Sequence, residues 1–318
     1  MNGSLTKLTR RTTLGLIGAA MTVPAQARAR LSYDLKSKQV ADGIWMLEGS
    51  TEYFSMENGG DIVNCAIIEG SDGLTVVDTG PSLRYGQAML DALTNLSGKP
   101  VTTVINTHHH PDHFFGNQVF TDIPIRALSQ TGALAAEQGE DFSDNMYRIL
   151  GDWMRGTEVV PPTQSLPAGE IILGGRKLNV LPLSGHTEAD LALMDVETGT
   201  VIAGDLAFLD RAPTTPSADL DKWRESLTAI TDLDPSAVIP GHGPFDPSLR
   251  SLTQTRAYLD WIEETLIDAA DQGFDMVEVM ELPIPDEFAG FGAQPEEYHR
   301  SVSHLFPGIE AEALPLLD

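Results

Sequence analysis

Apolar residues along this chain fall into short runs punctuated by glycine, proline and aspartate, and the runs alternate between two periods. Residues 39–48 (QVADGIWMLE) are β-prone and predict a first strand. After the loop Asn58-Gly59-Gly60, residues 62–69 and 74–78 are nearly continuous apolar runs joined by Asp72-Gly73, a dipeptide suited to a hairpin turn. Continuous apolarity predicts strands buried on both faces, hence a sheet covered by helices. Residues 83–96 switch to helical spacing, with Met89, Leu90, Leu93 and Leu96 in repeat. The β-branched run 101–105 (VTTVI) predicts another strand, followed by a helix around 114–119. From Ser129 to about Arg155 the pattern is helical. Phe142, Met146, Ile149 and Trp153 form a stripe suited to core or pocket wall.

Pro161-Pro162 interrupts the chain, and a second β-rich half begins at Glu170. Gly174-Gly175 predicts a turn, 177–183 the return strand, and 191–195 and 200–203 two more strands. Leu220, Trp223, Leu227 and Ile230 share one helical face, and 237–239 leads into Pro240-Gly241-His242-Gly243. Asp246-Pro247 suits an N-cap with proline at the first helical position. The helix it predicts carries Leu252, Leu259, Ile262 and Leu266 and ends at Gly273. The acidic tail from Asp275 is less regular.

The 318 residues are 42% hydrophobic and 21% charged, which is globular composition with ample length for a deep core. A formal net charge of −26 argues against nucleic acid or an anionic membrane as partner. One cysteine, Cys65, rules out an intrachain disulfide and thiolate-only metal sites, leaving His, Asp and Glu as ligands. Lys7, Arg10 and Arg11 precede an uncharged run, 12–23, and small residues near Ala27 and Ala29. That is the layout of a bacterial signal peptide over 1–29, leaving one domain over 30–318 without a membrane anchor. Thr9-Arg10-Arg11 resembles a twin-arginine signal, with general secretion as the alternative, and either predicts a periplasmic or secreted product.

The candidate chemistry centres on Thr107-His108-His109-His110-Pro111-Asp112-His113. Residues two apart share a direction only on an extended chain, so His108 and His110 can meet one metal where the 101–105 strand ends. Asp112 and His113 form a second pair. Taken alone, the stretch could equally be a histidine-rich surface loop. Three further residues alter that balance: His186, Asp205 and His242 each follow an apolar strand, the edge where α/β proteins gather functional groups. Phe114, Phe115 and the loop around Phe288 to Phe291 could line a pocket or simply be core; His299 and His304, five apart, suit packing or the surface.

With Asp78, His108-x-His110-x-Asp112-His113, His186, Asp205 and His242 in that order, residues 39–272 resemble the metallo-β-lactamase-fold hydrolase superfamily. The resemblance implies a four-layer αβ/βα sandwich and two zinc ions, with iron or manganese also suited to such ligands. His108, His110 and His186 would hold one metal and Asp112, His113 and His242 the other; Asp205 would bridge them, and Asp78 would support a ligand from behind. His109 occupies a variable position of the motif and is left out. True metallo-β-lactamases typically place Cys or Ser where Asp205 stands, so the set looks more like glyoxalase II, the lactonases and other dinuclear hydrolases. The implied reaction is attack of a metal-bridging hydroxide on an ester, thioester or lactone carbonyl of a small-molecule substrate. Asp112 is expected to orient that hydroxide and take its proton, and activity to fall as pH drops through the histidine range.

In combination, the export-type N-terminus, the opening Val40-Ala41-Asp42-Gly43-Ile44 and the tail 296–302 (EEYHRSV) further resemble the quinoprotein relay system zinc metallohydrolases, with Ser301 where that group usually has Asn. That resemblance implies a link to a periplasmic quinoprotein dehydrogenase system. Competing expectations are a non-catalytic metal-binding accessory protein and a β-lactamase-like amide hydrolase. A two-iron oxidoreductase ranks last, since no flavin-binding segment is evident.

Overall fold

Gly43 sits at φ +66°, a left-handed conformation that glycine adopts without strain, and it folds the first apolar run into a hairpin. Where residues 39–48 predict one strand, the computed structural model, which describes residues 31–313, has β1 (Ser37–Ala41) and β2 (Ile44–Leu47) paired antiparallel. The first half continues with β3 (Cys65–Glu69), β4 (Leu74–Val77), α1 (Leu83–Leu96), β5 (Val101–Ile105), α2 (Pro111–Phe114), β6 (Ile125–Ala127), α3 (Ser129–Leu150) and β7 (Gln164–Ser165). The second half contains β8 (Gly169–Leu173), β9 (Arg176–Leu183), β10 (Asp190–Asp195), β11 (Thr200–Phe208), α4 (Leu220–Thr231) and β12 (Ala237–His242). It closes with α5 (Arg250–Asp271), α6 (Met276–Met280), α7 (Asp286–Ala289) and α8 (Glu296–Ala313).

One sheet runs β1 to β7 in chain order; the other runs β12-β11-β10-β9-β8. Successive side chains of a strand point to opposite faces, and here both faces are apolar. Ala66 and Ile68 of β3, Val77 of β4 and Ile105 of β5 meet Leu191 and Leu193 of β10, Ile202 of β11 and Ile239 of β12 between the sheets. Their neighbours Cys65, Ile67, Val76 and Val104 pack outward with Tyr85, Met89 and Leu93 of α1. On the second sheet, Ala192, Val201, Ala203 and Val238 pack outward with Trp223 and Leu227 of α4 and Leu259 of α5. The result is the four-layer helix–sheet–sheet–helix sandwich. Each fully buried Val, Leu or Ile contributes roughly 1.5–3 kcal/mol, so both faces of every central strand drive assembly.

Four sequence expectations shift. The segment expected as a helix around 114–119 is a 3-10 helix, Phe115–Phe120. β11 does not stop at Ala203 but runs through Asp205 to Phe208, with its pairing to β12 slipping on either side of Gly204. Asp246 does not cap α5: its Oδ1 accepts from the Ser248 backbone and its Oδ2 from that of Ser251, closing a turn ahead of a helix that starts at Arg250. The tail from Asp275 is mostly helical, because Tyr258, Ile262 and Leu266 of α5 present a second apolar face that Val279, Phe288, Tyr298, Val302 and Phe306 cover. The expected signal peptide lies outside the described residues. Among those described, no helix is long and apolar enough to cross a membrane.

Candidate metal centre

The polar residues singled out around the histidine cluster arrive from strand ends, from the loops after them, from within a long strand, and from the first turn of one short helix. Asp78 follows β4 at φ +61°, held by its backbone N–H to the Ile105 carbonyl at 2.8 Å. β5 delivers His108 and His110. Pro111 disfavours the helical conformation in the residue before it, so His110 stays extended (φ −70°, ψ 149°). Proline then occupies the first position of α2, which places Asp112 and His113 in its first turn. Asp205 lies within β11, and His242 ends β12. His186 sits in the β9–β10 connection.

Neighbours set which nitrogen each imidazole offers. His242 Nδ1 donates to the Ile62 carbonyl at 2.7 Å and His186 Nδ1 to the Thr214 carbonyl at 3.0 Å, because a carbonyl can only accept. His113 Nδ1 donates to Asp78 Oδ2 at 2.8 Å. In the neutral form of all three rings Nε2 is left as a lone pair facing the centre, the arrangement that orients metal-binding histidines. His186 Nε2 and His110 Nδ1 face each other at 2.8 Å.

Two groups of donors result. His108, His110, His186 and Asp205 form one and Asp112, His113 and His242 the other, with donor atoms of each group within 4.8 Å of one another. Asp205 lies between them: its Oδ2 is 3.4 Å from His186 Nε2 and 3.2 Å from His242 Nε2, and its Oδ1 is 3.1 Å from His113 Nε2. His108 Nε2, His113 Nε2 and Asp205 Oδ1 are buried without a hydrogen-bond partner. Such orphaned atoms are costly, and a cation shared by converging lone pairs would satisfy them; the donor set therefore fits divalent metals.

The electrostatics agree for three of the histidines. Burial, then the charges of neighbouring imidazoles, pushes His108 and His110 well below the ordinary histidine range. Burial carries His186 down to about 3. These rings are neutral, as ligands must be. Burial would lower His113 too, but Asp205, Asp78 and Asp112 together raise it well above its usual value. Despite burial, which raises a carboxylate's pKa, Asp205 is held well below its ordinary range by His242 and His113.

The centre forms one wall of a cavity of about 380 Å³. His110, Asp112, Asp205 and His242 face it; Tyr53, Phe54, Phe142, Met146 and Ile149 supply apolar surface; Arg211, Arg300 and His304 line it as well. The helical stripe thus divides: Phe142, Met146 and Ile149 are pocket wall, while Trp153 is packed against Tyr33 and Gly59. Phe114 and Phe115 are buried against each other, and Phe288 and Phe291 pack with Tyr258 in the C-terminal core, so none of these phenylalanines lines the cavity. His109 lies beside Gln138 and Phe142, outside both donor groups. Arg211, Arg300 and His304 were not anticipated as cavity residues. The i, i+4 spacing of Arg300 and His304 on one helix was the available signal.

A family model described as Metallo-beta-lactamase superfamily matches residues 58–242, more than half of the chain. A probable metallo-hydrolase of Bacillus subtilis is 27% identical over 231 residues, covering 62% of this chain and 72% of the relative. A human acyl-coenzyme A thioesterase is 27% identical over 232 residues, covering 64% and 80%. Among solved structures, a metallo-beta-lactamase family protein from Thermus thermophilus superposes with a TM-score of 0.64 at 22% identity, covering 87% of this chain and 96% of that one.

Proposed function

The chain belongs to the metallo-β-lactamase superfamily, and from that premise we propose that it is a dinuclear metal-dependent hydrolase of ester, thioester or lactone carbonyls. The observation that carries this is the pair of donor groups meeting at Asp205 on the wall of a cavity large enough for a small substrate. His108, His110, His186 and Asp205 would hold one ion, and Asp112, His113, His242 and Asp205 the other. Zinc suits imidazole and carboxylate donors best, and iron or manganese would also fit. Bound there, such ions would supply Lewis acidity toward a carbonyl oxygen and bring the pKa of water close to neutrality.

The chain's own groups do the rest. Asp112 faces the cavity, with its Oδ2 3.4 Å from His242 Nε2, and is placed to accept the proton of an attacking water. Phe54, Phe142, Met146 and Ile149 shelter the substrate from bulk water and hold its apolar part. A carboxylate at position 205, rather than Cys or Ser, favours ester and thioester chemistry over β-lactam cleavage. The relative named as an acyl-coenzyme A thioesterase points the same way.

Turnover of an ester, thioester, lactone and β-lactam panel, alongside a metal count, tests the proposal. Two ions per chain and carbonyl hydrolysis abolished by His108→Ala support it. Metal binding with no turnover on any substrate would favour the accessory metal-binding role instead. The quinoprotein relay grouping rests on residues 40–44 and 296–302, outside the matched 58–242, and is proposed on that sequence resemblance alone. Export to the periplasm rests likewise on residues 1–29, and cell fractionation tests it.

A further inference from the structure

Glu297 is buried between two guanidinium groups. Arg211 Nη2 lies 3.4 Å from its Oε1, and Arg300 Nη1 lies 3.1 Å and 3.0 Å from its two oxygens. Two cations sharing one anion leave one positive charge in excess, and both arginines line the cavity beside the metal-binding residues. Glu297 and Arg211 are each only 1% exposed, where an uncompensated charge is expensive. Arg211 Nε is buried with no hydrogen-bond partner. Arg300 reaches in from α8 with its side chain 33% exposed and its guanidinium 5.7 Å from the Tyr53 ring centre. Among the described residues the Arg300 guanidinium makes protein hydrogen bonds only through Nη1, which leaves Nε and Nη2 without a protein acceptor. The chain as a whole carries a net charge of −26, which repels anions at long range.

We propose that Arg300, backed by Arg211, is an anion-recognition subsite, and that the substrate is an acyl ester or thioester with a carboxylate next to an apolar body. This rests on the hydrolase reading of the same cavity. A carboxylate supplies the missing negative charge, and the planar fork of an arginine matches it with two parallel hydrogen bonds. The apolar body lies along Phe142, Met146 and Ile149. Arg300 thereby determines specificity from a helix that contributes nothing to either donor group.

Two aryl esters that differ only in charge test this: 4-acetoxybenzoate and its methyl ester. The metal-loaded enzyme should show a KM about tenfold lower for the anion. In Arg300→Gln the ratio of the two KM values should fall to about one, and Arg300→Lys should restore part of it. A wild-type ratio near one, or a ratio that survives Arg300→Gln, overturns the subsite. If neither ester is turned over, the hydrolase reading fails separately. Calorimetric binding of 4-hydroxybenzoate against methyl 4-hydroxybenzoate then decides the subsite: a preference for the anion that Arg300→Gln abolishes supports it, and no preference overturns it.

Discussion

Asp78 Oδ2 lies 2.8 Å from His113 Nδ1, and that same oxygen accepts from Thr107 Oγ1 while Oδ1 accepts from the Thr107 backbone N–H. One carboxylate at the end of β4 thereby fixes both the tautomer of His113 and the start of the segment that carries His108 and His110. Its left-handed backbone, φ +61°, is uncommon for aspartate and is held by the strand beside it.

Asp78→Asn should therefore lower metal affinity by about 10–100-fold without removing a ligand. The amide can present an N–H to His113 Nδ1, which would shift the ring proton to Nε2 and block the lone pair. Competition with a chromogenic chelator measures the change. Wild-type affinity in this variant would show that Asp78 does not orient His113.

Asp205→Ala removes a carboxylate that reaches both donor groups, and His110→Ala removes a donor of one group only. The metal count should fall from two toward zero in the first variant and toward one in the second. Activity losses should exceed the 10–100-fold expected from losing a ligand's hydrogen-bond partner. Elemental analysis after dialysis checks the counts.

A Cβ at Gly241 would lie 2.0 Å from Asp205 Oδ1 and 2.7 Å from the Gly204 carbonyl carbon. Gly241→Ala must push β12 from β11 or turn the Asp205 carboxylate away. It should cost about 1–3 kcal/mol of stability and weaken metal binding together. Gly98→Ala, where the added carbon meets nothing within 4 Å, is the control for denaturation and metal titration.

Burial raises the Asp61 carboxyl to about 6, and its Oδ1 has no hydrogen-bond partner. The folded state therefore holds this proton between pH 4 and 6 when the unfolded chain has lost it. The stability contribution is present below about pH 4 and is lost as pH rises to about 6. Its size is of order 1–3 kcal/mol. Asp61→Asn should flatten that part of the urea-denaturation profile and raise stability at pH 7. An unchanged pH dependence would remove Asp61 as its source.

Much of the fold was legible in the chain because its central strands are apolar on both faces, and only a sheet covered on each side buries such strands. The ends of α1 and the position of β5 follow directly from periodicity. Local chemistry was less legible where a long-range contact decided it. The hairpin at Asp42-Gly43 reads as continuous strand until β3 arrives to pair with β2. Asp246 reads as a helix cap until its carboxylate is found closing a turn with Ser248 and Ser251.

By itself the sequence determined the order and kind of donors. An alternating His-x-His on an extended chain ahead of a Pro-initiated helix can point only certain ways, and that constraint is local. What the tertiary structure decided was everything that depends on distance between segments far apart in the chain. It brought Asp205 between the two donor groups and turned Asp78 onto His113. It carried Arg300, 58 residues beyond His242, into the same cavity. The physical reason is that α8 docks through Tyr298, Val302 and Phe306 onto α5. The direction in which its arginine points is set by that packing, which no local pattern encodes.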